Sequence, residues 1–196
     1  MVDSLRKGLR RAAVFGTILV GAACGQEATA PVQPIPEANA GLISDVTGLV
    51  GKLLQVKVLE RKSAAPANLV ASAVIGKAGG VIEIPRTGFR FVVPPNALDS
   101  NVTITVSAVK GTQVAYEFAP HGLKFKKPAS FQQDLSHTNA LLGLNFGLKG
   151  AYFKDASQLN PKSGTALINE LIKAFSIGGW VTFPIDHFSG YLVSCA

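Results

Sequence analysis

The sequence predicts a mainly β protein, an antiparallel β-sandwich preceded by a disordered tether and a short N-terminal amphipathic helix. Three observations carry that prediction. From Leu69 onward apolar residues alternate at period two, the pattern of strands that bury one face; Gly and Pro interrupt those runs every few residues; and no apolar run is long enough to span a bilayer. The 196 residues divide into an export signal (1–23), a lipid-anchored tether with a short helix (24–67), and one sandwich domain (68–196).

The first element has the three-part layout of a secretory signal: a basic stretch to Arg11, an apolar stretch from Ala12 to Val20, then Gly21, Ala22 and Ala23. The apolar stretch falls short of the ~20 residues a transmembrane helix needs, so it is expected to be removed. The run Val20-Gly21-Ala22-Ala23-Cys24-Gly25 resembles the lipobox of bacterial lipoproteins, in which the cysteine is diacylated and becomes the mature N-terminus. One position departs from that pattern, Gly21 standing where the family prefers an aliphatic residue. The resemblance implies a lipid on Cys24, a membrane partner through that lipid, and residence in the cell envelope, at the outer membrane or cell surface. The competing reading is simple secretion with cleavage after Ala28-Thr29-Ala30, although Pro31 would then follow the scissile bond. In simple secretion Cys24, where the cleaved chain retains it, could pair with Cys195, the other cysteine of the chain, in an oxidising compartment. A lipid and a disulfide on the Cys24 sulfur exclude each other.

Between Gly25 and about Ala40, Pro31, Pro34 and Pro36 among Ala, Gln and Glu favour extended, poorly packed chain. Leu42, Ile43, Val46, Leu49, Val50, Leu53 and Leu54 then recur at the spacing of one helix face, with Gly48 and Gly51 each costing about 1 kcal/mol of propensity. This amphipathic helix could cap one open end of the core or lie on the membrane near the anchor; few basic residues flank its apolar face, so capping the core is the expectation.

The predicted strands follow in order. Leu69 to Ile75 alternates and ends near Gly79-Gly80; Val81 to Ile84 and Phe89 to Val93 flank a hairpin connection at Pro85-Arg86-Thr87-Gly88; and Pro94-Pro95-Asn96 stops the second strand. Val102 to Ala108 and Val114 to Phe118 alternate in the same way. Leu141 to Lys154 is compatible with a strand or a buried helical turn, and Ala166, Leu167, Leu171 and Ala174 have helical spacing, giving a short helix or lid over Thr165 to Ala174. Trp180 to Phe183 and Phe188 to Val193 close the domain as a strand pair joined across Pro184-Ile185-Asp186.

Three blocks in this body resemble a known module. Gly79-Gly80-Val81-Ile82-Glu83-Ile84-Pro85 with Gly88 to Leu98 resembles the opening of the ZU-5 domain, the β-sandwich shared by zonula-occludens proteins, netrin receptors and ankyrins and found in similar form in bacterial lipoproteins. Tyr116 to Phe125 with Pro128 resembles its central strand and turn, and His187-Phe188-Ser189-Gly190-Tyr191 its closing strand. The likeness spans about Val74 to Val193 and implies a ZU-5-like sandwich acting as an interaction or structural module, with an unidentified envelope protein as partner. Fold alone does not confer function.

The formal charge of +7 is less informative than it looks. Arg6, Lys7, Arg10 and Arg11 against Asp3 carry +3 of it, which leaves +4 for the remainder. The one tight basic cluster, Lys124, Lys126 and Lys127, has few aromatics beside it and suits a solvated strand face, so no nucleic-acid partner is expected. There is no paired-cysteine metal motif, phosphate loop or nucleophile elbow, and His121, His137 and His187 are far apart in sequence, so neither cofactor nor metal is expected. Asp186, His187 and Ser189 suggest a triad, but neighbouring residues of a strand point to opposite faces, which keeps Asp186 from orienting His187.

The ZU-5 resemblance implies one further chemistry, because some animal relatives cleave themselves at a His-Phe-Ser sequence. Here Ser189 would attack the Phe188 carbonyl with His187 as base, the two sharing one face of a strand. A regular closing strand would hold the peptide unstrained, and the expectation is no cleavage and no enzymatic activity. The alternatives are autoproteolysis between Phe188 and Ser189, or an envelope hydrolase acting through a site that sequence does not reveal.

Overall fold

The computed structural model describes residues 53–67, 69–140 and 147–195. Two antiparallel sheets face each other across an aromatic core. The larger contains β1 (Leu54–Val58), β3 (Leu69–Ile75), β6 (Val102–Ala108), β8 (Ala115–Ala119), β10 (Leu148–Phe153), β11 (Leu159–Asn160), β12 (Thr165–Ile168), β13 (Glu170–Lys173) and β16 (Gly190–Cys195). The smaller runs β14 (Phe175–Ile177), β15 (Trp180–His187), β9 (Lys124–Asp134), β5 (Phe89–Val93) and β4 (Gly80–Ile84) in that order. A separate ribbon pairs β2 (Glu60–Ala65) with β7 (Gly111–Gln113).

Cross-strand register explains how the alternating pattern becomes a core. In the smaller sheet Ile82 pairs with Phe91, Phe91 with Phe131 and Phe131 with Phe183, so one row of large side chains points inward from four strands. The larger sheet answers with Ala108, Tyr116 and Tyr191 in register, continued by Tyr152 at the rim. The two sheets interlock as ring pairs: Phe89 stacks on Tyr116 at 4.1 Å, and Tyr116 meets Phe131 at 5.6 Å and Phe118 meets Phe91 at 5.1 Å, both edge-on, while Phe131 stacks on Phe183 at 4.3 Å within the smaller sheet. The larger sheet also buries part of its outer face. Ala115, Leu192 and Ala151 lie in register there, and Val58, Phe153, Leu159, Ala166 and Ile168 complete a second apolar cluster.

β16 is therefore covered on both faces. One flank pairs along its whole length with β10, while the other pairs with β8 over Gly190–Leu192 and with β1 at Ser194 and Cys195. Two close approaches hold it in place: a Cβ built on Gly190 would lie 2.2 Å from the Phe153 ring, and one on Gly150 would lie 2.6 Å from the Phe183 ring.

The strands expected at Leu69 to Ile75, Val81 to Ile84, Phe89 to Val93 and Val102 to Ala108 are β3, β4, β5 and β6. The hairpin connection is a 3-10 turn over Pro85–Thr87 closed by Gly88 at φ 68°, and Asn96 takes φ 63° in the turn after Pro94-Pro95. Other expectations need correction. The span Thr165 to Ala174 is not a helix but β12 and β13. Ala166 and Ile168 are buried while Leu167 stays exposed, and pairing with β1 and β10 overrides a weak helical period. Of the stretch Leu141 to Lys154, Leu148–Phe153 is strand β10 and residues 141–146 lie outside the described ones.

The sheet begins earlier than residue 68, because β1 and β2 already pair within the fold. Leu54, expected at the end of the amphipathic helix, opens β1; the helix and tether up to residue 52 lie outside the described residues, as does the signal segment 1–23. Finally, Pro184-Ile185-Asp186 is not a turn. β15 runs through it to His187, since β14 covers β15 only at Trp180–Thr182 and the missing N–H of Pro184 lies where no described strand pairs on that flank.

Candidate functional site

The continuation of β15 changes the geometry of the His187-Phe188-Ser189 motif. Phe188 and Ser189 are not part of a strand; they are the two-residue link by which the chain leaves the smaller sheet at His187 and enters the larger one at Gly190. The expected shared strand face for His187 and Ser189 does not exist. Phe188 drops into the core at 2% exposure, with ring centroids 5.0 Å from Phe125 and 5.2 Å from Phe118. That apolar anchor fixes the crossing.

Backbone hydrogen bonds tie the link to the turn between β8 and β9. Phe188 N–H donates to the Leu123 carbonyl at 2.8 Å, Gly122 N–H donates to the Phe188 carbonyl at 3.2 Å, and Phe118 N–H donates to the Ser189 carbonyl at 3.0 Å. The Phe188 carbonyl thus has one main-chain donor. The nucleophile is less well served: Ser189 is buried, and its hydroxyl donates to the Phe153 carbonyl at 3.3 Å. His187 is engaged elsewhere. Its Nδ1 lies 3.4 Å from the Tyr191 hydroxyl and its ring meets Tyr152 edge-on at 5.1 Å. Tyr191 donates to the His187 carbonyl at 2.6 Å. Burial, helped by the nearby Tyr152, Asp186 and Glu170, raises the Tyr191 pKa above the ordinary tyrosine range, so its proton stays in that bond.

The remaining candidates are dispersed. Asp186 is exposed on β15. His137 ends a 3-10 turn capped by Asp134, with Nδ1 3.4 Å from the Asp134 carboxylate. His121 is exposed in the turn after the Ala119–Pro120 cis peptide, near Asp155. Among the described residues no three His, Cys, Asp or Glu side chains converge as a metal site would require. Lys124 and Lys127 are exposed on β9, and Lys126 pairs with Asp99 at 2.6 Å. Cys195, the last residue of β16, is disulfide-bonded, while the other cysteine, Cys24, lies outside the described residues. No helix among the described residues is long and apolar enough to cross a membrane.

Sequence reasoning missed the most unusual group in the fold. Arg61, on β2, is 2% exposed and has no ion pair among the described residues. Its Nη1 donates to the Gln113 carbonyl and, at 3.4 Å, to those of Val109 and Gly111, while Nη2 donates to the Ala115 carbonyl at 3.1 Å. The guanidinium also sits 4.8 Å from the centre of the Tyr116 ring. Tyr116 donates to Gln133 Oε1 at 2.8 Å, and Gln133 Nε2 donates to the Thr87 carbonyl at 2.7 Å. Burial raises the Tyr116 pKa, and the Arg61 charge only partly opposes that. The chain Arg61–Tyr116–Gln133–Thr87 is a buried structural clasp linking the β2–β7 ribbon to both sheets. Nothing in Glu60-Arg61-Lys62 distinguishes the buried cation from its neighbours.

With this geometry in place, comparison with known families gives one likeness, over part of the chain. A family model for the ZU5 domain matches residues 71–119. That span runs from β3 to the end of β8 and includes the β4–β5 hairpin. The glycine pair preceding the hairpin meets a close backbone: Gly79 has φ 74°, and a Cβ there would lie 2.3 Å from the Val93 carbonyl oxygen. Of the other two resembling blocks, Tyr116 to Ala119 falls within the matched span, while Pro120 to Phe125 and His187 to Tyr191 lie beyond it. No curated protein matches the chain.

Proposed function

We propose that this chain is an exported cell-envelope protein whose ZU5-like sandwich is a non-enzymatic interaction or structural module held at a membrane by a lipid on Cys24. The ZU5 match over residues 71–119 carries the module reading, since ZU5 domains generally serve interaction or structure. The lipobox-like Val20 to Gly25 supports the anchor. The absence of catalysis is supported by Ser189, whose hydroxyl is given to the Phe153 carbonyl rather than to His187. Globomycin treatment should accumulate a precursor retaining residues 1–23, and Cys24→Ala should release the protein from the membrane fraction. No precursor and an unchanged membrane fraction for Cys24→Ala would remove the anchor.

One observation favours a second reading. Cys195 is disulfide-bonded, and a Cys24–Cys195 bond would occupy the sulfur that the lipid requires. The protein would then be exported and oxidised rather than acylated. Both readings place it outside the cytoplasm, and they predict different chemistry on one atom.

A further inference from the structure

The β14–β15 hairpin breaks the inward-apolar rule of the rest of the sandwich. Its register pairs Ile177 with Trp180 and Phe175 with Thr182. Phe175, Ile177 and Trp180 therefore share one face, and it is the outer one, because Val181 and Phe183 between and beyond them are buried. Ile177 is 79% exposed, the most exposed large apolar residue described, and Phe175 and Trp180 are 52% and 36% exposed. Gly178 and Gly179, both at positive φ, make the two-residue turn, and a Cβ on either would touch nothing within 4 Å. This is a projecting tip with an apolar face.

The charge beside the tip is positive. Lys173 Nζ lies 5.3 Å from the centre of the Phe175 ring, and Lys149 is the cross-strand partner of Lys173. Like charges in direct register repel, and neither lysine has an ion pair among the described residues. The acidic neighbours do not answer them. Asp134, opposite Trp180, is held by Ser136 N–H and His137, and Glu170 pairs with Tyr152 on alternate positions of β13, facing the other side of the sheet from Lys173.

We propose that this tip inserts into the headgroup region of an anionic lipid bilayer, with Phe175, Ile177 and Trp180 entering the interface and Lys149 and Lys173 facing the phosphates. Two features favour a bilayer over a protein partner. Three side chains at these exposures present roughly 300 Å², taking about 200 Å² per side chain, well below the ~800 Å² per partner of a stable protein interface. A Trp and Phe edge with adjacent lysines instead has the amphipathic composition that settles at a membrane surface. The inference does not depend on acylation of Cys24.

Trp180 is the chain's single tryptophan, so its fluorescence reports this tip alone. The full chain carrying Cys24→Ala, which has no lipid of its own, is titrated with vesicles of phosphatidylcholine containing 30% phosphatidylglycerol and with vesicles of phosphatidylcholine only. The expected result is a blue shift of Trp180 emission with the anionic vesicles, weakened at high salt. Ile177→Asp should lower partitioning about ten-fold, and Lys149→Gln with Lys173→Gln should lower it on anionic vesicles only. No blue shift with either vesicle overturns the proposal. So does a shift without vesicles that grows with protein concentration and disappears in Ile177→Asp, since the tip would then be a contact between copies of this chain.

Discussion

Replacing Arg61 with alanine should be among the most damaging single changes available to this fold. The two closest bonds, to the Gln113 and Ala115 carbonyls, are charge-assisted and contribute about 1.5–3 kcal/mol each, whereas the two at 3.4 Å add little. Alanine also removes the guanidinium that sits over the Tyr116 ring and leaves a void at a buried position. Against these losses stands the cost of burying a guanidinium whose Nε has no partner among the described residues, which is relieved when the charge is removed. The net expectation is a loss of about 3 kcal/mol. Urea unfolding of the two proteins, followed by the fluorescence of Trp180 and by far-ultraviolet circular dichroism, measures it. Arg61→Lys should recover less than half the loss, because an ammonium cannot present a fork to carbonyls on both sides. A destabilisation under 1 kcal/mol for alanine would refute the reasoning, since the clasp would then be dispensable.

Other substitutions probe separate parts of the account. Gly190→Ala places a methyl 2.2 Å from the Phe153 ring and should cost about 2–3 kcal/mol; Phe153→Leu should reduce that penalty in a double-mutant cycle, and additive effects would count against the close approach. At Asp134, burial raises the carboxyl pKa, but the Ser136 hydrogen bonds and the His137 charge outweigh it, so the net shift is downward. A carboxylate lowered in this way contributes stability above its unfolded pKa, and that contribution is lost as pH falls through the folded value. Asp134→Asn should therefore lower the melting temperature at neutral pH and converge with the parent protein in acid; a difference unchanged by pH would contradict this. Denaturing mass spectrometry of the purified protein should show no fragment ending at Phe188, with Ser189→Ala indistinguishable from the parent. A fragment that disappears in Ser189→Ala would make the crossing an autoprocessing site. Denaturation matters, because a cleaved β16 would stay paired to β10, β8 and β1.

The sandwich was legible in the sequence wherever a strand buries one face. Phe89-Arg90-Phe91 and Val102 to Ala108 declare themselves by alternation, and Pro94-Pro95 marks a strand end because proline cannot donate to a ladder. Legibility failed where partners outside the local window decide. Leu167 and Leu171 look helical beside Ala166 and Ala174, yet pairing with β1 and β10 recruits them into strands. Pro184 looks like a turn, yet it lies where β15 has no outer partner. The same error hid the real geometry of the closing motif. Once β15 continues to His187, Phe188-Ser189 becomes a sheet-to-sheet crossing, and His187 turns to Tyr191 and Tyr152. Arg61 was invisible for a further reason: its partners are backbone carbonyls, which leave no trace in side-chain identity. The exposed tip was readable as Phe175, Ile177 and Trp180 around Gly178-Gly179, but only the register shows that the three share a face.

The central claim, an exported module anchored through Cys24, is tested most directly by the covalent state of that sulfur in protein taken from the envelope fraction. Non-reducing digestion and mass spectrometry of the N-terminal peptide should find a chain beginning at Cys24 with a diacylglyceryl thioether. A mature chain beginning elsewhere, with Cys24 recovered in a peptide linked to Cys195, would contradict the anchor and establish the oxidised, secreted form.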